Sequence, residues 1–595
     1  MRNWMHFVRL VVAMAASFAG SSLLFAQATA TDDRETKKPF GISSSASALR
    51  NTGEWFPKIQ EAGCSSVRFF PEWNGVEPVK GTWKWDRADE LLKSATEHRL
   101  EVTAVLMGSP PGSKKSHAFP MSDLAGWSTF VERSVERYKD RIHHWEVWNE
   151  GNGGFNDDHH TTTDYAKLAL ATYAAAKKAN AKAQVGLSVA SFDAPYLQKA
   201  IEAMAAEGKG ESFDYLCIHP YEVADGLADP HGELPFLWMS RMTRDMLKKA
   251  APKKADAPIW ITEVGRRIGN HGGRPTGELE AAADLTKIYT LAIAQGIART
   301  QWFEGQDPIG EDAGFGLIDR EGKPRASYRA FKTLATNLGP SPNYLGWLAI
   351  GKQGRGYGFV VEGKAGPLLI CWMPRGEIEK DFGFDSDVAM IGSLDGAESM
   401  LKAVTRISLV SSPRIFGNLP RELVAEAKAN AAKDFPWGGN FAKADVVACS
   451  PGSIEPATGG VIQTNPNATP TIKFADGSTG ILVRGDQGVN FYAHPSFANL
   501  QTRDFHVRVT VRRVAPGNLG MNCWYPAADG QGRTPYKNRE IWFGATASND
   551  WQTFTWHITD AALSKMWGYD IGIRPEQSVP FVIGKVEVSK VPFAK

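Results

Sequence analysis

Between residues 40 and 338 the chain repeats one pattern eight times, a short apolar run followed by an amphipathic helical stretch. The runs are Phe40–Ser45, Ser66–Trp73, Glu101–Ser109, Ile142–Glu150, Gln184–Ser191, Asp214–Tyr221, Pro258–Val264 and Arg299–Glu304. The stretches between them include Asp86–His98, Leu124–Lys139, Asp164–Asn180 and Leu279–Gln295. Asp86 and Asp164 stand where N-caps belong, and Gly63 and Gly296 where helices stop. A strand reached through a helical crossover runs parallel to the one before it. Eight such units predict an α/β protein whose strands close into a (β/α)8 TIM barrel. An open doubly wound sheet is the competing architecture, and it lacks its usual signature here, because no glycine-rich phosphate loop follows the first run.

After Gly339-Pro340-Ser341-Pro342 the period changes to glycine-punctuated alternation, as in Gly356–Glu362 and Pro367–Pro374. A helical stretch, Arg421–Lys433, leads into further alternating runs at Val461–Thr464, Gly480–Arg484, Phe505–Val511, Trp551–Ile558 and Val579–Val588. The expected plan is a leader over 1–30, a barrel over 31–340, a β-rich accessory domain over 341–420 and a β-sandwich over 421–595. By architecture alone the last is carbohydrate-binding-like. Its Trp524, Tyr525, Trp542 and Trp567 form either a sugar-stacking platform or sandwich core.

The leader reading rests on Arg2, His6 and Arg9, the apolar run Leu10 to Phe25 and the A-x-A choices in Ala26-Gln27-Ala28-Thr29-Ala30. It implies a secreted or periplasmic protein with no integral membrane segment once the leader is removed; no Cys follows the run to carry a lipid. A length of 595 residues calls for several domains, and a net charge of +2 with no long basic run gives no reason to expect a nucleic-acid partner. Five widely spaced cysteines make no disulfide framework. Cys64 and Cys217 read as buried thiols, and one bond among the C-terminal three stays open.

In such a barrel the reactive residues stand where strands end. Here the second run ends in Val67-Arg68-Phe69-Phe70, the fourth in Trp148-Asn149-Glu150 and the sixth in Ile218-His219-Pro220-Tyr221. The seventh ends in Ile261-Thr262-Glu263-Val264 and the eighth in Gln301-Trp302-Phe303-Glu304. An apolar run that stops at a carboxylate is costly unless that carboxylate has a task or a partner. Glu150 and Glu263, on strands four and seven, face each other across the barrel mouth, the arrangement glycoside hydrolysis needs. Arg68 and Tyr221 are natural partners for an ionised nucleophile, Asn149 for a sugar 2-hydroxyl, and Trp302 for a floor under the ring. His219 and Glu304 complete the candidate set.

Trp148-Asn149-Glu150 with Ile261-Thr262-Glu263 resembles glycoside hydrolase clan A. That resemblance implies Glu150 as acid/base and Glu263 as nucleophile of a retaining enzyme. His219-x-Tyr221, Trp302 and the segment Trp73-Asn74-Gly75-Val76-Glu77-Pro78 match the same clan. Trp145-Glu146-Val147-Trp148-Asn149-Glu150 is most similar to family 39, the β-xylosidase and iduronidase group. The resemblance covers roughly residues 40–420. It departs at Gly151-Asn152-Gly153-Gly154, where many relatives have proline after the glutamate.

Double displacement needs no metal or organic cofactor, and the partner is an oligo- or polysaccharide. Asp157-Asp158-His159-His160 is read as a solvated loop, since adjacent ligands are poorly spaced for one metal. Arg266, Arg267, His271 and Arg274, with Lys114, Lys115 and His117, suggest a cationic subsite for an acidic or sulfated sugar. The alternatives are a silent polysaccharide-binding barrel and a transglycosylase using the same glutamates. The oligomeric state is not legible.

Overall fold

The computed structural model describes residues 37–594 apart from 272–273, 309–312, 385–387, 392–397, 402–405, 452–458, 465–469, 485–487, 499–501, 518–519, 528–533, 543–549, 566–567 and 578. The leader and Trp567 lie outside the described residues. Eight strands close the barrel: β1 (Phe40–Ser43), β2 (Ser66–Phe69), β3 (Glu101–Leu106), β4 (His144–Val147), β5 (Gln184–Ala190), β6 (Tyr215–His219), β7 (Ile259–Val264) and β8 (Arg299–Phe303). They follow chain order and pair in parallel, with β1 meeting β8 through Phe40 opposite Thr300. Every strand lies inside one of the eight apolar runs.

The helices sit where the periodicity places them, but their caps differ from expectation. Thr161, not Asp164, caps helix Thr162–Ala179; Asp164 is its capping-box partner, reaching back to the Thr161 N–H. Helix Asp86–Glu97 is preceded by Trp85, which puts Asp86 in the first turn, where negative charge suits the exposed N–H groups. Gly63 and Gly296 end their helices with φ of +89° and +71°, which a side chain would resist.

Beyond the barrel an antiparallel sheet contains Asn343–Ile350, Gly356–Gly363, Gly366–Trp372 and Arg414–Gly417. Its alternation divides its side chains between two cores. Phe359, Val361, Ile370 and Trp372 join the barrel core, while Val360, Leu369 and Cys371 join a separate cluster with Ala427 of helix Arg421–Asn430. A buried triad crosses the first boundary, where Trp372 Nε1 (2.9 Å) and Lys287 Nζ (2.8 Å) both donate to Glu233.

The C-terminal region is a sandwich of two antiparallel sheets around its own apolar core. Tyr525 belongs to that core, Trp542 is 41% exposed, and Arg574 lies over the Trp524 ring at 5.0 Å. All five cysteines are free. No helix among the described residues is long and apolar enough to cross a membrane.

The sandwich is fastened to the barrel beside β4 and β5. Asp193, wholly buried after β5, accepts from the Thr534 N–H (3.1 Å) and hydroxyl (2.5 Å), the Asn152 amide (3.0 Å) and the Tyr196 N–H (3.2 Å). Burial pushes its carboxyl upward, and these donors oppose the shift. Asp193→Ala strands buried donors on both sides of the interface, so we expect a loss of about 3 kcal/mol in denaturant unfolding, against about 1 kcal/mol for Thr534→Val.

Candidate active site

The barrel interior at the strand C-termini is ionic rather than apolar. Arg68 from β2 is fully buried, and its guanidinium is divided among four acceptors, the most distant being the Ser43 hydroxyl at 3.5 Å from Nη1. Nε and Nη2 form a bidentate pair with Glu146 of β4 at 2.9 and 2.8 Å. Nη2 also donates to Asn149 Oδ1 at 2.8 Å, and Nη1 to Glu263 Oε2 at 2.7 Å. Burial works against the Arg68 charge, but Glu146 and Glu263 hold its pKa above the ordinary value. Burial likewise opposes ionisation of Glu146, yet the charge of Arg68 and the His219 contact pull that carboxyl down to about 2.

Glu263, on β7, takes a second hydrogen bond from the Tyr221 hydroxyl at 3.0 Å. Burial and the neighbouring Glu150 push the Glu263 carboxyl up, while His219, Arg68 and Tyr221 draw it back. Burial and the two glutamates raise Tyr221 far above its usual range, so it stays a donor. Glu150 follows β4 in a turn where Trp148 and Glu150 adopt φ of +62° and +50°. That turn swings the Glu150 carboxylate to His219 Nδ1, 2.8 Å away. The other ring nitrogen is 3.0 Å from Thr262 Oγ1, which donates to Glu146 at 3.3 Å. Burial would lower His219, but the charge of Glu263 and bonds to Glu146 and Glu150 raise it to about 9. A carboxylate oxygen of Glu150, one of Glu263 and a His219 nitrogen all lie within 4.8 Å of one another.

These groups open onto a cavity of about 680 Å³. Its wall includes Asn149, Glu150, Tyr221 and Glu263, the aromatics Phe70, Phe155, Phe303 and Phe315, and the polar Glu72 and His117. Glu146 and Thr262 were missed by sequence reasoning. A carboxylate flanked by Trp145 and Val147 in a buried strand was the available signal for Glu146.

Three expectations need correction. Trp302 is not the floor of the cavity; it is fully buried, with its indole N–H on the Phe315 carbonyl (3.1 Å), and the next residue, Phe303, lines the wall. The one-residue offset follows from alternation, since neighbours on a strand face opposite sides. Glu304 is wholly buried outside the wall and accepts from the Ser45 N–H (3.2 Å) and hydroxyl (2.9 Å), steadying the loop after β1. Arg266 lines the cavity, but its guanidinium is engaged by Asp284 at 2.8 Å and by Asp225. Arg267 also lines the wall, its Nε on the Ala313 carbonyl at 3.1 Å. Lys115 pairs with Asp158, and the side chains of His271 and Arg274 lie outside the described residues.

Removing the charge of Glu146 leaves a buried guanidinium half-paired. We expect Glu146→Gln to cost about 3 kcal/mol in denaturant unfolding at neutral pH. The Glu146 contribution is fully present above its ordinary value of 4.5 and is lost as the pH falls toward about 2, so the gap between wild type and variant narrows over that interval.

No family model matches the chain. Over 122 residues it is 29% identical to endo-1,4-beta-xylanase A of Halalkalibacterium halodurans, a match spanning 16% of this chain and 31% of that protein. Among solved structures, a family 39 glycoside hydrolase from Bacteroides cellulosilyticus superposes with a TM-score of 0.52 at 18% identity, covering 64% of this chain and 81% of that one. A family 39 β-xylosidase from Caulobacter crescentus covers 64% and 96% at 15% identity, with a TM-score of 0.45. The chain shares its fold, a closed parallel barrel followed by antiparallel sheets, with that family 39 glycoside hydrolase of Bacteroides.

Proposed function

We propose that this chain is a retaining glycoside hydrolase of the clan A type, with Glu263 as nucleophile and Glu150 as acid/base. The observation that carries the reading is the approach of the two carboxylates to within 4.8 Å at the cavity floor. Double displacement uses carboxyl groups about 5–5.5 Å apart, whereas inversion leaves about 6.5–9.5 Å for a water between them.

The surroundings divide the work. Arg68 and Tyr221 each donate to one oxygen of Glu263, so the negative charge of the pair rests there. In this reading Glu150 shares a proton with His219, whose Nδ1 lies 2.8 Å from its carboxylate. In the first step Glu263 bonds to the anomeric carbon, the glycosidic C–O bond breaks, and Glu150 gives its proton to the departing oxygen. In the second, Glu150 takes a proton from water, the hydroxide adds to the anomeric carbon, and Glu263 leaves as carboxylate. Because Asn149 Oδ1 is held by Arg68, its amide N–H₂ is the group left for the sugar 2-hydroxyl.

The substrate in this proposal is an oligo- or polysaccharide, supported by the xylanase likeness, and the leader sequence supports export to the periplasm or medium. Recognition of an acidic or sulfated sugar is assigned in this proposal to Arg267, which lines the cavity wall. On a panel of neutral and acidic glycosides, Glu263→Gln should abolish turnover. Glu150→Gln should cost roughly 10²–10⁴-fold on substrates with unactivated leaving groups. Nuclear magnetic resonance of the first-formed product should show the anomer of the substrate; the opposite anomer, or activity surviving Glu263→Gln, would sink the assignment. Arg267→Ala should lower kcat/KM on acidic substrates while sparing neutral ones.

A further inference from the structure

The wall of the catalytic cavity differs from one half to the other. The segments after β2, β3 and β4 present Phe70, Glu72, His117 and Phe155, whereas the arginines of the wall, Arg266 and Arg267, follow β7. Glu72 is half-buried, and among the described residues its carboxylate accepts no hydrogen bond and joins no ion pair. Its backbone is nevertheless fixed. Glu72 pairs with Met107 just beyond β3, and the next residue, the fully buried Trp73, donates its N–H to the Met107 carbonyl at 2.8 Å. We infer that Glu72 is a specificity-determining residue, whose carboxylate takes two hydroxyls of a neutral sugar, the unit that Glu263 attacks. The inference rests on the hydrolase reading above.

The direction in which Glu150 points decides which unit meets Glu72. Glu150 is turned to His219 of β6, so the departing oxygen and the unit that leaves with it lie toward that strand. The attacked unit lies on the opposite side of the barrel, toward β2, where Arg68 holds the Asn149 side chain. A carboxylate there offers two oxygens to a pair of adjacent ring hydroxyls, and a charged acceptor makes stronger bonds than a neutral one. His117 supplies a second polar group. Its N–H and carbonyl are tied to Asp157 at 2.9 and 3.1 Å, and its ring meets Phe155 edge-on at 5.0 Å. Among the described residues its ring nitrogens have no hydrogen-bond partner. No Lys or Arg lines this half of the described wall. A uronate or sulfate on the attacked unit would therefore meet a third carboxylate beside Glu150 and Glu263, and like charges repel more strongly as water is excluded. An acidic unit recognised by Arg267 is then a neighbour of the attacked sugar and not that sugar itself.

The test uses the full chain and its Glu72→Ala and Glu72→Gln variants, with denaturant midpoints to show that each folds. The probes are the aryl glycoside of the best neutral sugar, its monodeoxy analogues and the matching aryl uronide. The wild type should favour the neutral glycoside over the uronide, and Glu72→Gln should narrow that preference. Glu72→Ala should lose roughly ten- to a hundredfold in kcat/KM on the parent glycoside. Deleting a hydroxyl that Glu72 holds should cost the wild type about tenfold and Glu72→Ala no more than about twofold, because the partner is already gone. Where Glu72→Ala does not fold, Glu72→Gln carries the same comparison. Equal deoxy losses in wild type and variant are what a merely structural role gives. That result, full activity of a folded variant on the parent glycoside, or a wild type that prefers the uronide overturns the assignment and leaves the hydrolase reading standing. Failure of the wild type on every probe overturns the hydrolase reading and the role of Glu72 with it.

Discussion

The guanidinium of Arg68 is the piece on which the site depends. It is a full charge at zero exposure, tolerable because Glu146 meets it edge-on and Glu263, Asn149 and Ser43 accept from its other N–H groups. Each partner is thereby given a position. Glu146 ties Arg68 through Thr262 to His219, and His219 to Glu150. One continuous set of hydrogen bonds therefore runs from one rim glutamate to the other, through four strands of the barrel. A change at any member alters the charge felt by both carboxylates.

The outer domains are built onto this barrel by burial on both faces. The middle sheet gives one face to the barrel core and the other to its own helix. The sandwich places Ile462 and Tyr492 in the barrel core and closes the clasp around Asp193. Asn152, one arm of that clasp, stands two residues after Glu150 and also bonds the backbone of Ala190. The glycine-rich loop after Glu150 is thus where the sandwich reaches the turn that carries that glutamate.

Legibility in the sequence tracks periodicity. The eight strands could be placed because an apolar run between amphipathic helices has few other uses, and their order followed from chain order. Glu150 and Glu263 stood out because a carboxylate ending such a run is costly without a purpose. Glu146 shows in the sequence only as a carboxylate between Trp145 and Val147, because alternation tells which neighbours share a face and not which face meets the barrel axis. The Trp302 and Phe303 exchange is the same difficulty, a matter of facing across one residue. The arginines after β7 read as a free cationic patch because Asp225 and Asp284, which engage Arg266, are 41 and 18 positions away.

From the sequence alone came the barrel, the ends of its strands, and the two glutamates with Arg68, Asn149, His219 and Tyr221 as their neighbours. Each of these depends on short-range pattern and on the rule that strand ends carry chemistry. The tertiary structure alone decided which charges cancel, which aromatic ring faces the cavity, and that the sandwich meets the barrel through Thr534 on Asp193. Those are outcomes of pairing between residues distant in the chain, and pairing energy depends on distance and burial, neither of which a linear order of residues contains.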